Sequence, residues 1–148
     1  METTDTAKPT VDALKAFLRG EISAVESYDY VLEHIRRHEC RSILEECRRS
    51  HDARARRLTQ EIERRCTPAS AGSGLWGSLA KWYEQSAMAL GDDKAVAALE
   101  SGERRGLLQY ENSPKTLDAE AVRLIETELL PLQRITHGAM VALEKSFW

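Results

Sequence analysis

Two glutamates and two histidines recur in this chain at matched positions, and carboxylate with imidazole is the donor set that suits iron, manganese or zinc. Gly20-Glu21 is followed seven residues on by Tyr28, and Gly102-Glu103 seven residues on by Tyr110. Leu14, Phe17, Glu21, Val25 and Tyr28 align with Val96, Leu99, Glu103, Leu107 and Tyr110 at a constant offset of 82. Leu44, Arg48, His51 and Ala55 align with Leu130, Arg134, His137 and Val141 at an offset of 86. Each half thus reads as one helix bearing an inward Glu and one bearing a His. Two such hairpins direct Glu21, His51, Glu103 and His137 toward one point, enough for one four-coordinate cation.

The same alignment places Arg48 and Arg134 three residues before each histidine. In di-iron carboxylate bundles that position holds the Glu of a Glu-x-x-His pair, which bridges two cations. Two guanidinium groups there argue against a ferroxidase or oxidase centre, and no catalytic residue is assigned. The residues equally fit a metal-free core, in which Arg48 pairs with Glu21 or Glu103 and Arg134 with the other as buried, hydrogen-bonded ion pairs. Tyr28 and Tyr110 lie two turns from their glutamates on the same helical face. They read as core aromatics whose hydroxyls find a polar partner.

The elements that position these residues are helical. The stripe Leu14, Phe17, Leu18, Glu21, Val25, Tyr28, Leu32 and Ile35 predicts a helix from about Thr10, as N-cap, to about His38. Residues 1–9 form a disordered lead-in ending at Pro9. A second helix spans roughly 40–65, with Cys40, Leu44, Cys47, His51, Ala55, Leu58 and Ile62 inward. The Gly/Ser/Pro-rich stretch 67–77 is a loop, followed by a short amphipathic helix around Leu79, Trp82, Tyr83 and Met88. A third helix starts at Asp92 or Asp93, both suited to capping, and stops before Pro114. A fourth runs from about Leu117 with Val122, Ile125, Leu129, Leu132, Thr136, Met140, Leu143 and Phe147 on one face. His137 lies about 100° from the centre of that face, and a kink or π-bulge near Pro131 would be needed to turn it inward. The sum is one all-α domain over residues 10–148: a four-helix bundle with a long crossover, containing a short helix, between helices 2 and 3.

Composition narrows the function classes. The chain has 148 residues, 42% apolar and 30% charged, with a net charge of −3, which gives no overall attraction to nucleic acid or anionic membrane. Between residues 36 and 66 there are ten Arg against six acids. The interleaved signs read as a solvated helix face rather than a nucleic-acid patch. Cys40, Cys47 and Cys66 lack metal or disulfide spacing and read as reduced core residues. His34 and His38 are one turn apart and suit a helix C-terminus. There is no secretory h-region and no apolar run of membrane-spanning length, so the expected location is cytoplasmic.

With these residues in place, the chain resembles a bacterial domain family of unknown function in the ferritin-like superfamily, over about residues 12–143. The cues are the paired Gly-Glu-x6-Tyr segments, the Gly/Ser-rich crossover before Trp82, the GDD start of helix 3 and the LPLQRITH segment. The resemblance implies a four-helix bundle that forms a dimer or larger homo-oligomer, without an established activity. Superfamily relatives include ferritins and rubrerythrin-like proteins. Their ligand pattern carries over to Glu21, His51, Glu103 and His137 and fails at Arg48 and Arg134. Two functions remain open: a protein holding one Fe, Mn or Zn ion, with a role in metal or oxidative-stress handling by fold analogy, and a metal-free module acting by dimerisation or partner docking.

Overall fold

The computed structural model describes residues 2–65 and 90–148, with side chains from residue 7 onward. Helix α1 spans Glu2–His34, a single 3-10 turn His38–Cys40 follows, and α2 spans Arg41–Arg64. Then come α3 (Asp92–Glu111), α4 (Ala119–Leu124), a π-helical turn Ile125–Leu129, and α5 (Leu130–Lys145). No strand occurs among the described residues. The expected loop at 67–77 and the short helix near Trp82 lie outside the described residues.

Each boundary has a local cause. α1 is helical through Pro9 rather than starting at Thr10. Thr10 is not a cap: its hydroxyl is buried and accepts the Asp118 backbone N–H at 3.1 Å, tying α1 to the start of α4. α1 stops at His34, short of His38, and the amides of Arg36 and Arg37 donate to the Asp92 carboxylate at 2.9–3.2 Å. That contact also diverts Asp92 from capping its own helix. The N-cap of α3 is Gly91 at φ +110°, a conformation that favours glycine. Asp118 caps α4 through the Ala121 N–H at 3.0 Å.

The core has three tiers along the bundle axis. At one end Leu14, Leu18, Leu58, Ile62, Leu124 and Leu129 pack together. At the other, Val31, Leu44, Val96, Leu99, Met140 and Leu143 do so. Each full burial of such a side chain contributes roughly 1.5–3 kcal/mol. Between them lies a polar tier of Glu21, His51, Arg54, Glu103, Gln133 and Thr136, all buried. The tiers fix the topology. The second apolar cluster holds the end of α1, the starts of α2 and α3, and the end of α5. α2 and α3 therefore run parallel, with α1 and α5 opposed to them. Arg65 and Leu90 consequently stand at opposite ends of the bundle.

Helix 4 differs most from its expected stripe. Ahead of the π turn the buried residues are Ala121 and Leu124, within it Ile125 and Leu129, and beyond it Gln133, Thr136, Met140 and Leu143. A π turn inserts one extra residue and rotates everything after it. Leu132, expected inside, is 36% exposed, and Gln133 takes the inward position.

Candidate functional site

The polar tier is centred on one ring. His51 projects from α2 with Nδ1 2.7 Å from Glu21 Oε2 on α1 and Nε2 2.6 Å from Glu103 Oε1 on α3. Only the doubly protonated imidazolium donates to both. Burial alone would depress that cation. The Glu21 charge and the hydrogen bonds to Glu103 and Glu21 outweigh it and hold His51 above its ordinary value of 6.5. Burial pushes the Glu103 carboxyl up, but bonds from His51, Tyr28 and Thr136 carry it below its ordinary value.

The two tyrosines cross-link the halves. Tyr28 on α1 donates to Glu103 Oε1 on α3 at 2.7 Å, and Tyr110 on α3 donates to Glu21 Oε1 on α1 at 2.7 Å. On each helix Glu and Tyr are seven residues apart, a rise of about 10.5 Å. Antiparallel pairing brings the Tyr of one level with the Glu of the other. The Tyr28 ring stacks on His51 at 5.5 Å between centroids. Burial first, then the facing carboxylate, raises both phenols well above 10.

Arg54 completes the tier. It is 1% exposed, and its guanidinium reaches Glu21 Oε1 at 3.5 Å, Thr136 Oγ1 at 3.0 Å and the Gln133 side-chain oxygen. Gln133 and Thr136 each donate to Glu103 Oε2 at 2.8 Å, and Gln133 also donates to the Glu103 backbone oxygen at 2.8 Å. The approach of Gln133 requires Gly106, where a Cβ would stand 2.7 Å from the amide nitrogen. All four carboxylate oxygens thus have donors within the tier. With His51 protonated, two negative and two positive charges balance.

Of the residues singled out by sequence, Glu21, His51, Glu103, Tyr28 and Tyr110 meet here. His137 does not. Its side chain, 21% exposed, sits beside Glu100 with Nε2 to Oε1 at 3.5 Å. The π turn places Thr136 inward instead. Arg48 pairs with Asp29 on the surface at 2.5 Å, and Arg134 approaches Glu111 at 3.9 Å. Neither touches the buried carboxylates, so the ion-pair alternative built on these two arginines is corrected: its guanidinium comes from Arg54. Arg54 lies three residues after His51 and four before Leu58, which is the inward spacing of α2. That phase was the available signal, masked by nine other arginines in the same stretch.

The donors do not converge as those of a metal centre do. The two imidazole nitrogens face different carboxylates on opposite sides of the ring, so no single point lies against Glu21, His51 and Glu103 together. Among the described residues no group of three or more His, Cys, Asp or Glu is disposed to hold a metal ion. Arg54 adds a positive charge beside Glu21.

The pattern of one family of domains matches residues 9–115. The chain belongs to the DUF2383 family. Its description is a domain of unknown function. The span matched by DUF2383 includes Glu21, His51, Arg54, Glu103 and both tyrosines, while Gln133 and Thr136 follow it. No match was found among curated proteins or solved structures. No helix among the described residues is long and apolar enough to cross a membrane.

Proposed function

We propose that this DUF2383 chain is a metal-free, non-enzymatic interaction module of ferritin-like topology, built around a charge-balanced carboxylate–imidazolium–carboxylate core. One observation carries the reading: both ring nitrogens and all four carboxylate oxygens are engaged within the polar tier. A cation would have to displace His51 from a glutamate and sit near the Arg54 charge. The parallel α2 and α3, whose connection joins opposite ends of the bundle, supports the ferritin-like assignment. An action through self-association or partner docking is supported by Leu132 and Ile135, one turn apart on α5, and Leu108 on the adjoining α3, all exposed.

Elemental analysis tests this. Untagged protein is incubated with iron, manganese and zinc salts and desalted. The expected result is no stoichiometric metal. A stoichiometric ion that is lost in the Glu21→Ala, Glu103→Ala double variant overturns the reading and restores a metal centre. Light scattering across a dilution series reports the oligomer directly, with a dimer expected.

A further inference from the structure

The outward side of α5 is short of charge. At about 100° per residue, the side opposite its buried row carries Pro131, Ile135, Gly138 and Ala142. Gly138 and Ala142 are exposed, Pro131 is half-buried and Ile135 is 67% exposed. None of the four is ionisable. The outward strip of α2 holds Arg49, Arg56 and Glu63 instead, as a solvated helix face does. Among the described residues nothing packs on the middle of the α5 strip: a Cβ added at Gly138 would meet no atom outside its own turn of helix within 4 Å.

Two features say what covers it. The first is spacing. Glu128 lies one turn ahead, in the π turn, and Lys145 lies in the last turn, so the strip runs 128, 131, 135, 138, 142, 145. Its intervals alternate between three and four residues, the pattern by which one helix lies along another over several turns. The second is the order of residues. A negative charge stands at one end and a positive charge at the other, and the large Ile135 and the small Gly138 flank the midpoint. Laid antiparallel on itself, the strip is self-complementary. Ile135 then meets Gly138 of the second copy, Pro131 meets Ala142, and Glu128 meets Lys145. Parallel pairing would oppose like charges at both ends. Glu128 touches Arg57 at 3.2 Å, yet its side chain stays 46% exposed and can take a second cation. Arg134 flanks the strip on the side of Glu111, 3.9 Å away, and stays outside the seam.

We infer that a second copy of this chain covers the strip, through an antiparallel α5–α5 pairing whose dyad passes between Ile135 and Gly138. The pairing rests on the proposed self-association and names the surface that performs it. Each contact occurs twice about the dyad, over a seam about 25 Å long. A single helix pair is at the low end of specific interfaces, so the dimer is expected to dissociate at roughly micromolar concentration.

The test is sedimentation velocity of the full chain over a dilution series, with carbodiimide crosslinking of the unaltered sequence and peptide mapping by mass spectrometry. A carbodiimide joins a carboxylate to an amine that touches it and adds no spacer. Glu128 and Lys145 of one copy are about 25 Å apart along the helix, so an amide between them forms only between copies. The expected result is a concentration-dependent dimer that carries the Glu128–Lys145 link. Ile135→Glu is expected to keep its helical circular dichroism and to weaken the dimer roughly a hundredfold, because one isoleucine is lost from each copy. If that variant fails to fold, the link in the unaltered chain decides alone. A dimer that survives Ile135→Glu, or one that lacks the Glu128–Lys145 link, overturns this interface and leaves self-association to another face. A chain that is monomeric at every concentration also overturns it, and leaves docking of an unlike partner. Stoichiometric metal in protein that still forms the link overturns the metal-free reading alone.

Discussion

Replacing Arg54 by Met removes one guanidinium from the middle of the bundle and keeps much of the side-chain volume. The neighbours decide the cost. The Thr136 hydroxyl still donates to Glu103, and the Ser50 carbonyl contacted by Arg54 at 3.3 Å belongs to the α2 backbone. The Gln133 side-chain oxygen loses the guanidinium donor, and Glu21 loses a buried positive neighbour. An unsatisfied buried acceptor costs about 1–3 kcal/mol. Breaking a buried charge pair by removing one partner costs about 3–5 kcal/mol in all. Arg54→Met is therefore expected to lose about 3–5 kcal/mol, a large part of the ~5–15 kcal/mol that holds a typical domain. For a chain of this size that is a fall in melting temperature of roughly 6–20 °C. Urea unfolding followed by circular dichroism measures it, with Arg48→Met as control. Arg48 pairs with Asp29 at the surface, where such bridges contribute about 0–1 kcal/mol. Adding Glu21→Gln to Arg54→Met removes the uncompensated charge, so the double variant loses less than the two single losses added. Equal and small losses for Arg54→Met and Arg48→Met, or strict additivity with Glu21→Gln, would refute the charge-balanced core.

The tier also sets a pH window. His51 is raised above 6.5, so its contribution is complete below that pH and disappears as pH climbs through the folded-state value. Glu103 is lowered below 4.5, so its contribution is complete above that pH and is lost as pH falls through the folded value. Stability measured by denaturant titration is expected to be highest between about 4.5 and 6.5, and His51→Gln should remove the alkaline slope. Tyr28→Phe and Tyr110→Phe each delete a hydrogen bond to a buried carboxylate, so each should cost about 1.5–3 kcal/mol in thermal unfolding. Tyr30→Phe, on the half-buried flank of α1, should stay within about 0.5 kcal/mol. Gly106→Ala drives a methyl into the Gln133 amide and should lose about 1–3 kcal/mol. Gly138→Ala meets nothing within 4 Å and should gain about 0.5–1 kcal/mol, both read from the same melts.

Helix positions and the inward faces of α1, α2 and α3 were legible because apolar residues recur at helical spacing. The buried Glu21 and Glu103 stood out as charges in the centre of those stripes. The cross-linked tyrosines were visible as repeats, but their exchange between helices follows from the antiparallel pairing of α1 and α3, which no local pattern encodes. Gln133 escaped notice because a one-residue π insertion has no sharp sequence signal, and the repeat alignment carried His137 past it. Pro131 was the hint: it lacks an N–H to donate, and the irregular turn lies immediately before it. Arg54 was hidden by its type. A guanidinium in an arginine-rich stretch reads as surface until the other helices supply its acceptors.

The exchange of tyrosines between α1 and α3 has a corollary for symmetry. The matched spacing of the two halves gives a pair of glutamates and a pair of tyrosines. His51 contacts both halves alike, so it stands where they meet, and only a single ring fits there. The copy of that histidine in the other half has no seat to fill. His137 accordingly stands at the edge of its helix, beside Glu100, and the second half meets the shared ring through Glu103 alone.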